Sequence, residues 1–126
     1  MLYPNTWFKN AVAAMHVGDY AHSISCFTTL LKLNEEFGEG WSNLAGVLMK
    51  VGKYDQAFEA ATQSVRYLRE NWRVWDNYIT ISVSYLNVEF IIVERLNQHE
   101  RITLERAFII KFISSPFQVH FKFISR

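Results

Sequence analysis

The chain has 126 residues, of which 50% are hydrophobic and 20% are charged, and its formal net charge is +1. These values favour one small globular domain and give no indication of a basic nucleic-acid-binding surface. Cys26 is the single cysteine, so no internal disulfide can form, and we expect a reducing cytoplasmic or nuclear setting. Residues 1–8 lack the basic segment and apolar core of a signal peptide.

The first predicted element is a helical hairpin over residues 4–37, with Pro4 in its first turn and Gly18 at the bend. A second hairpin follows over residues 38–71, with its bend at Gly52. Glycine suits both bends because a helix often ends on a residue with positive φ, which glycine adopts most easily.

Each hairpin is predicted to bury a large apolar face of its first helix against a small residue of its second helix. In the second hairpin, Ala57 is the small residue that lets the helices approach closely. The apolar face has the i, i+3, i+4, i+7 spacing of a helix and consists of Trp41, Leu44, Ala45 and Leu48.

A third hairpin begins but is not completed. Residues 72–86 are predicted to form its first helix. Leu86 stands where the glycine is expected, and Ile91 stands where the second helix needs a small residue. Residues 87–126 are therefore predicted to be a tail outside the pattern, irregular except for one possible helix over 88–112.

A 34-residue period relates the hairpins. Tryptophan recurs at Trp7, Trp41 and Trp75, and the two bend glycines are also 34 residues apart. This period and its accompanying residues resemble the tetratricopeptide repeat (TPR) motif. The resemblance implies an all-α superhelix of antiparallel helix pairs, with two full repeats, one further helix and a C-terminal tail.

The strings NTWFKNAVA, GEGWSNLAGV and ENWRVWDNYI resemble, more narrowly, the repeat region of the tetratricopeptide repeat protein 27 family over residues 4–83. Members of that family are much longer, so the resemblance implies that the chain normally continues into further repeats. It also implies an adaptor that assembles large intracellular complexes, including a spliceosomal ribonucleoprotein.

Two explanations of the loss of the repeat pattern after Val83 stay open. Val83 and Ser84 are the residues that the splice-donor consensus GTAAGT encodes in frame. This favours a retained intron, and hence a truncated or mis-spliced product without independent function. A diverged third repeat is the alternative.

In arrays of this kind, the concave surface of the first helices binds an extended peptide or a partner helix. An alternative for Phe8, Val12 and Met15 is burial against a preceding repeat. The predicted binding residues are Phe8, Lys9, Val12, Met15, His16, Ser42, Asn43, Met49, Lys50, Arg73, Asp76 and Asn77, with Asn5, Glu39, Gly46 and Thr80 at the same repeat positions.

A co-chaperone is a second candidate, because chaperone-binding TPR proteins hold a C-terminal carboxylate with five polar residues. Phe8, Val12, Asn43, Arg73 and Asn77 occupy the five places here. The first lysine and asparagine of the clamp are missing, so the carboxylate would lose charge-assisted partners. We therefore favour a general scaffold.

Other functions find no support in the sequence. The four histidines lack metal-ligand spacing, and no glycine-rich phosphate loop is present. No Cys–His arrangement is evident around Cys26, which predicts a structural thiol. Charged residues interrupt residues 84–126 too often for a membrane span. We predict a non-enzymatic chain without metal or cofactor, which binds a protein or peptide and neither nucleic acid nor membrane.

Overall fold

A computed structural model describes residues 3–95 and 98–114. The described residues contain helices and no strand, which confirms the predicted all-α class. The helices are α1 (Pro4–His16), α2 (Tyr20–Leu33), α3 (Gly38–Lys50), α4 (Tyr54–Tyr67), α5 (Trp72–Glu94) and α6 (Gln98–Ile113).

The chain divides into two compact units between Val83 and Ser84. In the first unit, α1 packs on α2, α3 packs on α4, and α2 packs on α3, as expected for stacked hairpins. The second unit contains the end of α5 and α6. There Tyr85 stacks on Phe108 with ring centroids 6.2 Å apart, and the Lys111 ammonium lies 4.8 Å from the Tyr85 ring centroid.

The two bend glycines have the predicted left-handed backbone. Gly18 has φ +82° and Gly52 has φ +80°, and they are the described residues with positive φ. In both bends, the residue after the glycine donates its N–H to the carbonyl five residues earlier, at 2.9 Å. This hydrogen bond satisfies a carbonyl at the end of the first helix and turns the chain back. The prediction of glycine-centred bends is confirmed.

The helices of each hairpin touch where the sequence offers a small residue. In the first hairpin, the Ser23 hydroxyl donates a hydrogen bond of 2.8 Å to the Ala11 carbonyl of the facing helix. Both residues are fully buried, as are Ala45 and Ala57, which lie 34 residues further along. A larger side chain at these places would separate the helices and open voids beside them.

Two of the repeating tryptophans form hydrogen bonds with the segments that link the hairpins. The Trp41 indole N–H donates to the Glu35 carbonyl at 2.7 Å, and the Trp75 indole N–H donates to the Arg69 carbonyl at the same distance. Both contacts span six residues and are separated by one repeat. Trp72, in contrast, is 71% exposed. The period therefore distinguishes structural tryptophans from an exposed one.

Helix α5 is longer than predicted, because no glycine or proline interrupts it near residue 86. The predicted helix over 72–86 continues to Glu94. Leu86 replaces the bend glycine, and the chain has no glycine after Gly52 and no proline between Pro4 and Pro116.

The bounds predicted for the helix within the tail are also wrong. In place of one helix over 88–112, residues 84–94 complete α5, and α6 occupies 98–113. The expectation of irregular structure is wrong for these helical residues, since their uninterrupted non-glycine sequence supports a helix. Residues 115–126 lie outside the described residues. The assignment of residues to repeats and a tail stays a prediction.

The backbone of Gly52 leads to a stability prediction. Gly52→Val should destabilise the chain by about 2 kcal/mol or more, because a β-branched residue is strained at positive φ. Gly46→Ala should have no destabilising effect and should gain up to about 1 kcal/mol, because Gly46 is inside α3 and a Cβ there would meet no atom within 4 Å. Urea unfolding of both variants measures the difference, and equal midpoints would contradict the bend assignment.

Candidate protein-binding surface

The first helices of the hairpins lie side by side in the first unit. Helix α1 contacts α3, and Asn77 of α5 forms hydrogen bonds with Ser42 of α3. The twelve predicted binding residues belong to these three helices. We call them the first-helix surface.

The first-helix surface combines exposed charge with half-buried apolar and amide groups. The exposed members are Lys9, His16, Lys50, Arg73 and Asp76. The half-buried members are Phe8, Val12, Met15, Ser42, Asn43, Met49 and Asn77. Such a mixture presents hydrogen-bonding groups to a partner while apolar area remains available for contact.

Asn77 and Ser42 connect two members of the surface. The Asn77 side-chain amide donates to the Ser42 carbonyl and contacts the Ser42 hydroxyl oxygen, each at 3.1 Å. One repeat earlier, the equivalent positions hold Asn43 and Phe8, and a phenyl ring offers no hydroxyl oxygen for the second of these bonds. Sequence analysis predicted both as binding residues but did not predict their hydrogen bond, because the bond depends on the rotation of α3 and α5.

Phe8 contributes to the packing of the first hairpin. Its ring centroid is 5.1 Å from that of Phe37 and 6.2 Å from that of Phe27, which is fully buried. Edge-on and tilted ring contacts of this kind stabilise a hydrophobic core. Phe8 thus packs α1 against α2 and against Phe37, which precedes α3. Only part of its ring is open to a partner.

The charges of the surface are mixed in sign. The Arg73 guanidinium lies 5.5 Å from the centroid of the neighbouring Trp72 ring, within the range of a cation–π contact. Asp76 is one helical turn further along the same helix. Lys9 and Lys50 are exposed on α1 and α3. A partner would therefore meet three basic side chains and one acidic side chain on these helices.

Cys26 has a histidine neighbour that the sequence analysis missed. The Cys26 sulfur lies 3.5 Å from Nε2 of His22, one turn earlier on α2. The i, i+4 spacing is the signal that reveals such a pair. Burial, and secondarily the nearby Asp19 carboxylate, raise the pKa of the Cys26 thiol. A raised pKa favours the thiol over the thiolate that a cysteine nucleophile requires at neutral pH.

A surface depression of about 460 Å³ lies away from the first-helix surface. It is found where α2 ends and α3 begins, and none of the twelve surface residues belongs to it. The depression is lined by Thr28, Leu31, Lys32, Leu33, Glu35, Trp41 and Leu44. No sequence signal indicated it.

The part of the chain that the structure describes contains no group of three or more histidine, cysteine or acidic residues able to hold a metal ion. Among the described helices, none is both long enough and apolar enough to span a membrane.

Comparison with known proteins connects this architecture to repeat proteins. A TPR repeat-containing protein of Schizosaccharomyces pombe is 40% identical over 83 residues, which cover 64% of this chain and 10% of that protein. A tetratricopeptide repeat-containing protein of Caenorhabditis elegans is 27% identical over 78 residues, which cover 62% of this chain and 10% of that protein. The protein named Essential for maintenance of the cell wall protein 1, of Saccharomyces cerevisiae, is 24% identical over 79 residues. These cover 62% of this chain and 9% of that protein.

These relatives and the helical hairpins define the fold as an all-α, TPR-like helical repeat. The chain spans about a tenth of the length of the curated relatives it matches. No protein-family model matches it.

The hydrogen bonds of Asn77 lead to a second prediction. Asn77→Ala should lower the free energy of unfolding by about 1 kcal/mol, since a partly buried carbonyl loses its donor. Asn77→Asp should be at least as destabilising, because a carboxylate cannot donate to the Ser42 carbonyl. Asn43→Ala, one repeat earlier, is the control and should change stability by less than about 0.5 kcal/mol. Equal losses at Asn77 and Asn43 in urea unfolding would show that the bond has no special role.

Proposed function

We propose that this chain is a protein-interaction scaffold of the TPR type, without catalytic activity, and that it binds a peptide or helix of a partner on the first-helix surface. The observation that carries the proposal is the side-by-side arrangement of α1, α3 and α5, which brings separated polar, charged and apolar side chains to one surface. Repeat arrays use such extended surfaces for binding.

The chemistry of the chain supports binding over catalysis. Burial raises the pKa of the Cys26 thiol, which disfavours the thiolate that a cysteine nucleophile requires. The relatives that carry the word TPR in their names point in the same direction.

The more specific part of the proposal concerns the biological role. The resemblance to the tetratricopeptide repeat protein 27 family supports an adaptor that is continuous with further repeats and assists assembly of large complexes in the cytoplasm or nucleus. The proposal does not include a chaperone-tail clamp. Phe8 occupies the place of the first clamp lysine, and its ring packs on Phe27 and Phe37.

A second candidate is a truncated product without independent function. The observation that favours it is the division into two units after Val83, where the repeat pattern also ends. The described part of the second unit exposes several large apolar side chains, which include Phe90, Ile91, Ile92, Ile109, Ile110 and Ile113. Exposed apolar area of this kind favours aggregation when no partner covers it.

Peptide selection tests the proposal. The full 126-residue chain is immobilised and used to select binders from a phage-displayed random peptide library, and the selected peptide is measured by fluorescence anisotropy. The combined Lys9→Ala, Asn43→Ala and Lys50→Ala variant should weaken binding by about tenfold or more, because it truncates three contact residues of the surface.

The matched control is Ser25→Ala with Gln56→Ala, which alters exposed residues of the second helices α2 and α4. This control should keep the affinity within about twofold. Failure to select any peptide, or equal losses in both variants, would contradict binding by the first-helix surface and favour the truncated product.

A further inference from the structure

The surface depression between α2 and α3 lies beside a tryptophan that has a different neighbour in the next repeat. Trp41 and Leu44 line the depression, and Trp75 and Tyr78 stand 34 residues further along. The Tyr78 ring packs edge-on against Trp75, with ring centroids 5.8 Å apart. Leu44 has no ring and is smaller than tyrosine, which leaves space beside Trp41.

A second aromatic ring is also missing beside Trp41. Phe58 of α4 contacts Tyr78 of α5, with ring centroids 5.9 Å apart. The equivalent residues of α2 and α3 are Ile24 and Leu44, so Trp41 is the one ring at the three equivalent positions. Edge-on and tilted contacts between aromatic rings are favourable. The next repeat therefore shows which kind of group fits beside this tryptophan, namely an aromatic ring.

Trp41 is fixed in place to receive such a ring. Its indole N–H donates to the Glu35 carbonyl at 2.7 Å, and the side chain is half-buried. A ligand does not have to order this side chain on binding, which lowers the cost of association. The depression has a volume of about 460 Å³ and is partly lined by Leu31, Leu33 and Leu44. This size and apolar lining suit a small apolar group.

The rim of the depression carries charges of both signs. Lys32 lies in the last turn of α2, Glu35 lies in the link to α3, and both are exposed. Charged groups at the edge of an apolar contact select a partner more than they strengthen its binding. An acidic residue next to the inserted ring would complement Lys32. A peptide offers a ring and a carboxylate together.

We propose that this depression is a second binding site, which accepts an aromatic side chain of a peptide partner. The ring packs against Trp41, and an acidic residue beside it in the peptide pairs with Lys32. Tyrosine is the expected aromatic residue, because Tyr78 holds the equivalent place in the next repeat. The site is separate from the first-helix surface, so the inference does not depend on the proposed function.

A titration of the full chain with the capped peptide acetyl-Asp-Tyr-Gly-amide tests the proposal. NMR resolves the indole N–H signals of the four tryptophans, and Trp41→Phe identifies the Trp41 signal. That signal should shift saturably, with a Kd of about 1 mM for so small a ligand. The Trp75 signal should stay in place, because Tyr78 already packs there. Leucine in place of the peptide's tyrosine should weaken binding by about tenfold.

Two substitutions on the protein test the site itself. Leu44→Tyr supplies the ring from within the chain, so it should weaken peptide binding by about tenfold or more and keep the melting temperature. Leu33→Ala shortens a lining residue that is 47% exposed, and it should weaken binding by about threefold without affecting the fold. Val51→Ala changes a similarly exposed aliphatic residue outside the depression and is the control, with unchanged affinity expected.

Several results would overturn the inference. These are the absence of a saturable Trp41 shift, an equal shift of Trp75, or unchanged affinity in Leu33→Ala. If Leu44→Tyr does not fold, Leu33→Ala decides. Equal affinity for p-cresol, the isolated tyrosine side chain, would overturn the assignment to a peptide. Lys32→Ala should weaken binding of the acidic peptide and leave its Asn-Tyr-Gly analogue unaffected, and equal effects on both would contradict the role of Lys32.

Discussion

The close approach of the two helices in each hairpin is the constraint on which the rest of the first unit depends. At the crossing, Ser23 bonds to the carbonyl of Ala11, and one repeat later Ala45 and Ala57 are both fully buried. Small residues at these places let the apolar faces meet without voids, and they keep the first helices in one layer. Helix α5 has Ile79 at the position equivalent to Ala45, and that side chain is 48% exposed. Isoleucine is larger than alanine, so a second helix could not approach α5 as closely at this position.

The same constraint explains where sequence analysis succeeds. The bends at Gly18 and Gly52 were predictable, because positive φ is a local requirement that one residue type satisfies best. The small residues at the crossings, Ser23 and Ala57, were predictable from their period. The end of α5 was not predictable. The absence of a glycine shows that a bend is missing, but it does not show where the helix ends.

The candidate surface was only partly predictable. Repeat positions indicate which residues lie on one side of a helix, so the twelve candidate residues could be chosen from the sequence. Contacts between helices depend on rotations that a sequence does not encode locally. The bond from Asn77 to Ser42 and the packing of Phe8 on Phe37 are contacts of this type. They show that some residues of the surface also stabilise the array, so binding and stability must be measured on the same variants.

Urea unfolding of the Ala45→Ile variant tests the central constraint most directly, because it places the isoleucine found in α5 at the crossing of the second hairpin. Overpacking of the fully buried Ala45 should lower the free energy of unfolding by about 2–3 kcal/mol. The same substitution at the exposed Ala13 of α1 should cost less than about 1 kcal/mol, since only helix propensity changes there. Equal losses at Ala45 and Ala13 would contradict the view that close helix approach determines this fold.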